Sequence, residues 1–93
     1  MRRVVLKSAA FVRAARRLVK KNPQYAPILQ SALESLAENA QQPALKTHKL
    51  KGDLEGSWAC SAGYDLRIVF RFVPWEGGEA ILLETIGTHE EVY

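Results

Sequence analysis

From Ser8 to Lys21 the apolar residues Phe11, Ala14, Ala15, Leu18 and Val19 recur at helical spacing, while Arg13, Arg16, Arg17, Lys20 and Lys21 take the other side. This pattern predicts a helix with a core-facing stripe and a basic outer face. Ser8 stands where a side-chain cap belongs. Ahead of it "RRVVL", residues 2–6, is short and β-branched and reads as a first strand. Asn22-Pro23 ends the helix. A second stripe runs through Tyr25, Ile28, Leu29, Ala32, Leu33, Leu36 and Ala40, so an antiparallel helical pair with a tight connection is expected. Pro27 cannot sit deep inside a helix, so either the second helix begins there or residues 23–26 form a separate turn. Pro43 stops it and biases Gln42 towards an extended shape.

Beyond Pro43 the period changes to two. "HKLK" before Gly52 reads as a short strand or arm, and "DLEG" as a turn. Trp58, Cys60 and Ala62 alternate with Ser57, Ala59 and Ser61. The clearest alternation sets Leu66, Ile68, Phe70 and Phe72 against Arg67, Val69, Arg71 and Val73. One face of that strand is therefore apolar, and the other presents two arginines two pleats apart. "PWEGGE" turns the chain and "AILLETI" is apolar enough for a central strand. The expected class is α+β, an antiparallel sheet of about four strands packed on an N-terminal helical hairpin in the order β-α-α-β-β-β.

Ninety-three residues are expected to make a single domain, 1–93. Charge divides it more sharply than the net +3 conveys. Residues 1–51 hold eleven Lys or Arg against two acids, a balance of +9, and residues 52–93 hold two against eight, a balance of −6. The basic half is a candidate surface for a polyanion or an acidic partner, or simply a well-solvated helical face. One cysteine, Cys60, excludes an intrachain disulfide and a Cys-based zinc site. Lys7, Arg13, Arg16 and Arg17 interrupt the apolar stretches a signal peptide would need, and no run approaches the roughly 20 apolar residues of a membrane span. A soluble, unexported, cytoplasmic protein without membrane contact is expected.

Few residues outside the core carry chemistry. His48 lies in "KTHKLKG" with Lys46, Lys49 and Lys51 around it, Asp65 opens a strand, Arg67 and Arg71 share a sheet face, and His89 and Tyr93 lie in the tail "GTHEEVY". If the tail folds back as a closing strand over the arginine face, imidazole, phenol, guanidinium and ammonium groups meet in one basic patch. That set suits RNA cleavage without a metal or small-molecule cofactor. Such cleavage needs a base for the 2′-hydroxyl proton, an acid for the departing 5′-oxygen, and fixed cations around the phosphate. Histidine fills either proton role, and arginine presents a planar fork to phosphate. Lys46, Lys49, Lys51 and Arg71 are candidates for holding RNA. Plainer readings stand beside these: the arginines cover an exposed face or pair with acids such as Glu84, Tyr93 plugs the C-terminus, Trp58 and Trp75 pack rather than stack on bases, and Cys60 is buried and inert.

The motifs "HKLKG", "GYDLRIVF" and "GTHEEVY", in the order they take behind a strand and a helical hairpin, resemble the RelE/ParE superfamily of bacterial toxins, and within it the YafQ-like branch. The resemblance covers nearly the whole chain. It implies the toxin of a type II toxin-antitoxin module, an endoribonuclease that cuts mRNA on the ribosome and is neutralised by a cognate antitoxin. By motif it assigns His48, Asp65, Arg67, His89 and Tyr93 to the catalytic set. His89 is then the general acid and His48 or Tyr93 the base, with the roles exchangeable. The chain departs from the YafQ pattern at Ser61, at or beside which that branch has a further histidine, and at Leu66, where it has a tryptophan. Two rivals share the implied fold: a ParE-like inhibitor of DNA gyrase, which needs no acid–base pair, and a degenerate module that only binds antitoxin or RNA.

Overall fold

The computed structural model of the chain describes residues 2–92. Strand β1 is Val4–Lys7, helix α1 Ala9–Lys21 and helix α2 Tyr25–Glu38. Strands β2 (His48–Lys49), β3 (Trp58–Ala62), β4 (Leu66–Trp75) and β5 (Gly78–Thr88) follow, and a one-turn helix, α3, covers His89–Val92. The α+β class and the element order are as expected, but the sheet is mixed and five-stranded, ordered β1-β5-β4-β3-β2. Four strands run antiparallel, whereas β1 lies parallel to β5, Val4 opposite Ala80 and Lys7 opposite Leu83. Strand periodicity reports which face of a strand is buried, not its neighbour. A partner 76 positions away therefore left no local trace.

The first helix starts as its sequence dictates. The Ser8 hydroxyl accepts the Phe11 N–H at 3.0 Å and donates to the Glu84 carbonyl at 3.1 Å, so one side chain caps the helix and ties it to β5. Replacing Ser8 by alanine removes both bonds and is expected to cost about 1–2 kcal/mol, read as a lower urea midpoint with unchanged slope; an unchanged midpoint would show that the cap contributes nothing. Asn22 closes α1 through its N–H to the Leu18 carbonyl. The second helix begins at Tyr25, so Pro27 occupies its first turn, where N–H groups have no helical partner and proline breaks no bond.

Helices α1 and α2 lie on one face of the sheet. Phe11, Ala32 and Leu36 meet Cys60, Leu66, Ile68, Phe70, Ile81 and Leu83 in the main core. Phe72 extends it through edge-to-face contacts with Phe70 and Trp58, at centroid distances of 5.6 and 5.7 Å. Burial in this core pushes the Cys60 thiol up to about 12, against a small opposing pull from Arg67, so the sulfur stays protonated and inert. On the opposite face Leu50, Ala59 and Val69 form a small second cluster, against which Val92 packs.

One irregularity matters for the site face. Val69 lies opposite Thr85 but Phe70 opposite Leu83, so Glu84 is left as the extra residue of a bulge. Its carboxylate forms an ion pair with Arg71, 3.3 Å from Nε, and accepts the Ser57 hydroxyl, and Arg71 Nη2 donates to the Ser57 oxygen at 3.3 Å. Among the described residues no helix is long and apolar enough to cross a membrane.

Candidate functional site

At the end of the sheet where β4 starts and β5 stops, two adjoining depressions of about 770 and 440 Å³ form one open groove. Lys46, Ser61, Arg67 and His89 line both parts. His48 borders the smaller part, and Tyr64, Asp65 and Glu90 the larger. Residues from three separate segments, 44–48, 61–67 and 88–90, thus converge on one concavity.

Each side chain is placed by its local backbone. Lys46 follows a short 3-10 turn, Pro43–Leu45, in a left-handed conformation (φ 51°, ψ 40°), which lets its carbonyl approach His48 Nδ1 at 3.0 Å. A carbonyl only accepts, so this contact puts a proton on Nδ1. The β2–β3 register sets His48 opposite Ala59 and Lys49 opposite Trp58. Alternation then sends the two side chains to opposite faces, His48 towards the groove and Lys49 over the Trp58 ring, 5.4 Å from its centroid.

The turn between β3 and β4 fixes Arg67. Its Nη1 donates to the carbonyls of Leu66 at 2.9 Å and Tyr64 at 3.2 Å, which holds the guanidinium at the groove wall opposite Ser61. The turn is pinned to α2. Gly63, at φ +64°, leaves only 2.9 Å between the place of a Cβ and Ile28 Cγ2, and the Tyr25 hydroxyl reaches the Asp65 carboxylate at 3.4 Å. Asp65 also accepts the His89 N–H on its carbonyl at 3.0 Å, so it joins the β4 start to α3. Tyr64 stands on the rim, 98% exposed as a residue.

The tail does fold against the outer face, but as a helical turn and not as the strand expected. Thr88 and Glu91 bond reciprocally, Thr88 N–H to Glu91 Oε1 at 2.9 Å and Glu91 N–H to Thr88 Oγ1 at 3.4 Å, the geometry of a capping box. The Thr88 N–H chiefly holds the Glu91 carboxyl below its usual range; partial desolvation opposes this, and the Thr88 hydroxyl, Arg17 and Lys21 add to it. Because the folded value is lowered, this contribution to the order of α3 is complete above the ordinary 4.5 and is lost as pH falls through the lowered value.

The groove gathers His48, Asp65, Arg67, His89 and Lys46 from the expected set. Lys51 and Arg71 are not among its lining residues, and Arg71 is engaged by Glu84. Tyr93 lies outside the described residues. Sequence reasoning missed Tyr64 on the rim and Tyr25 behind Asp65, which carried no readable signal, and the Thr88/Glu91 pair, whose spacing is a helix-start signature that could have been read. Among the described residues no three His, Cys, Asp or Glu side chains gather closely enough to hold a metal ion.

The whole frame, a helical hairpin on a five-stranded sheet with a groove at the β4 start, is similar in fold to solved YafQ and YoeB/ParE toxins. No protein-family model matches the chain, and no curated protein sequence does; the likeness is one of structure. The toxin of the E. coli DinJ-YafQ toxin-antitoxin complex superposes with a TM-score of 0.75 at 18% identity, over 100% of this chain and 99% of its own. YafQ from E. coli strain BL21(DE3) gives 0.73 at 19% identity over 98% of both chains. A YoeB/ParE toxin from Agrobacterium tumefaciens gives 0.74 at 13% identity, over 92% of this chain and 98% of that one.

Proposed function

We propose that the protein is the toxin of a type II toxin-antitoxin module, a metal-independent endoribonuclease acting on translated mRNA in the cytoplasm. The observation that carries this reading is the convergence of Lys46, His48, Arg67 and His89 on one groove from distant parts of the chain. A base removes the proton of a ribose 2′-hydroxyl, and the 2′-oxygen attacks the adjacent phosphorus. The bond from phosphorus to the 5′-oxygen breaks as an acid protonates that oxygen, leaving a 2′,3′-cyclic phosphate and a 5′-hydroxyl. His48 takes the base role, with Tyr93 as the other candidate, and His89 supplies the acid. Arg67 and Lys46 offset the charge gathering on the phosphate oxygens. Asp65 supports His89 through its backbone. The exposed Tyr64 ring offers a stacking face for a flanking base. The groove is open and shallow, which fits a substrate presented by a second body such as the ribosome.

Primer extension on messages in a translating extract tests this directly. Cuts within the reading frame, with cyclic phosphate ends and only while ribosomes engage the message, are expected. Intact messages together with blocked gyrase supercoiling would favour the ParE-like rival, and intact messages with active gyrase the degenerate module.

The partner is a cognate antitoxin, a reading supported by the likeness to the toxin of the DinJ-YafQ complex. An apolar groove of about 750 Å³ between β1 and the helices, floored by Val5, Leu29 and Leu33 and rimmed by Arg2, Arg3 and Lys7, fits an amphipathic acidic segment of it. Co-purification is expected to weaken as salt rises from ~0.1 to ~1 M, where the screening length falls from about 10 to 3 Å. Unchanged recovery would count against an electrostatic contact.

A further inference from the structure

A helix of one turn has no stability of its own, because fixing its backbone costs more than its few internal bonds return. The presence of α3 at the mouth of the groove therefore needs a cause outside it, and three tethers supply one. Val92 packs on Leu50, Ala59 and Val69. The His89 N–H is held by the Asp65 carbonyl at 3.0 Å. The Glu91 carboxylate turns back to the Thr88 N–H at 2.9 Å while its own N–H meets the Thr88 hydroxyl. This last tether lies close over the end of β5. A Cβ on Gly87 would stand 3.1 Å from Glu91 Cβ and 3.2 Å from its Oε1, so glycine leaves the space in which the carboxylate sits.

His89 lies between the two capping partners and is the residue of this turn that lines both parts of the groove. Glu91 lines neither part. We infer that Glu91 is a positioning residue for His89: its carboxylate, bonded to Thr88, fixes the first turn of α3 and with it the place from which the imidazole enters the groove. The inference rests on the nuclease reading for its catalytic consequence but not for its structural one. Glutamine keeps an acceptor oxygen at the same reach and completes a capping box as glutamate does, whereas alanine leaves the Thr88 N–H without this partner.

The test compares Glu91→Ala and Glu91→Gln, each alone and in a His89→Ala background, by single-turnover cleavage on ribosome-bound message and by NMR relaxation of the His89 amide. Alanine is expected to lower kcat about 10- to 100-fold, the scale set by misplacing a reacting group by around 1 Å, with KM unchanged, and glutamine to restore most of it. In the His89→Ala background the alanine substitution should cost nothing further, because Glu91 acts through that histidine. An equal loss in both backgrounds, a change confined to KM, or full activity of Glu91→Ala would overturn the inference. If the wild-type protein cleaves no message, the nuclease reading fails and relaxation decides alone. Greater mobility of the His89 amide in Glu91→Ala, reversed in Glu91→Gln, supports the latch, and identical relaxation in all three proteins refutes it.

Discussion

Replacing His89 by alanine is expected to slow mRNA cleavage by about 10²–10⁴-fold, the usual worth of a positioned acid or base. Arg67→Ala should cost about 10²–10³-fold, the scale for removing one preorganised donor from a developing oxyanion. The two losses should differ in their response to conservative replacement. Arg67→Lys keeps the charge but not the fork, and the Nη1 bonds to the Leu66 and Tyr64 carbonyls that orient the guanidinium have no equivalent on a single ammonium, so little recovery is expected. His89 is exposed and Arg67 half-buried, so thermal melts should stay close to wild type for the histidine variant, within about 0.5 kcal/mol. Arg71→Ala is the control, since its guanidinium is engaged by Glu84 and Ser57; cleavage near the wild-type rate is expected. Primer extension over a time course measures all four proteins. Wild-type rates in both His89→Ala and Arg67→Ala would remove these residues from the site.

How far these residues announce their roles depends on the range of the interactions that place them. Stripes at 3.6 and alternation at 2 are local, and they located α1, α2, β3 and β4, with the buried face of β4 read correctly, while the apolar run of residues 80–86 located β5. The parallel pairing of β1 with β5 is not local. Nor is the bulge at Glu84, which follows from fitting β4 and β5 together and pairs Arg71 with Glu84. Lys49 shows the same limit within three residues. "KTHKLKG" reads as a uniform basic patch, yet in the two-residue strand His48–Lys49 one side chain faces the groove and the next faces Trp58. Proximity in sequence was a poor guide there. The alternation of Arg67 with Val69 was a good one, because a strand converts spacing directly into a face.

The largest expected loss of stability lies at Phe70, and it follows from where β4 sits. Its ring is fully buried, opposite Trp58 on β3 and Leu83 on β5, and edge-on to Phe72 at 5.6 Å. Phe70→Ala should cost about 3–5 kcal/mol. The upper part of that range is expected, since the strands on both sides are locked by ladder hydrogen bonds and cannot close on the cavity as a surface helix could. A domain of this size has only about 5–14 kcal/mol in hand, and each kcal/mol moves Tm by about 4–8 °C, so a fall of at least 12 °C is expected by calorimetry. Phe70→Leu should fall by much less, because it refills most of the volume. Trp75→Ala, at a 41% exposed position on the same strand, should stay within about 0.5–1 kcal/mol of wild type. A Phe70→Ala melt within 4 °C of wild type would contradict the packing described. The consequence also reaches the groove, because Val69, the neighbour of Phe70 at the register shift, supports Val92 on the outer face. Collapse around Phe70 should therefore displace α3 and lower cleavage even at temperatures where the chain stays folded.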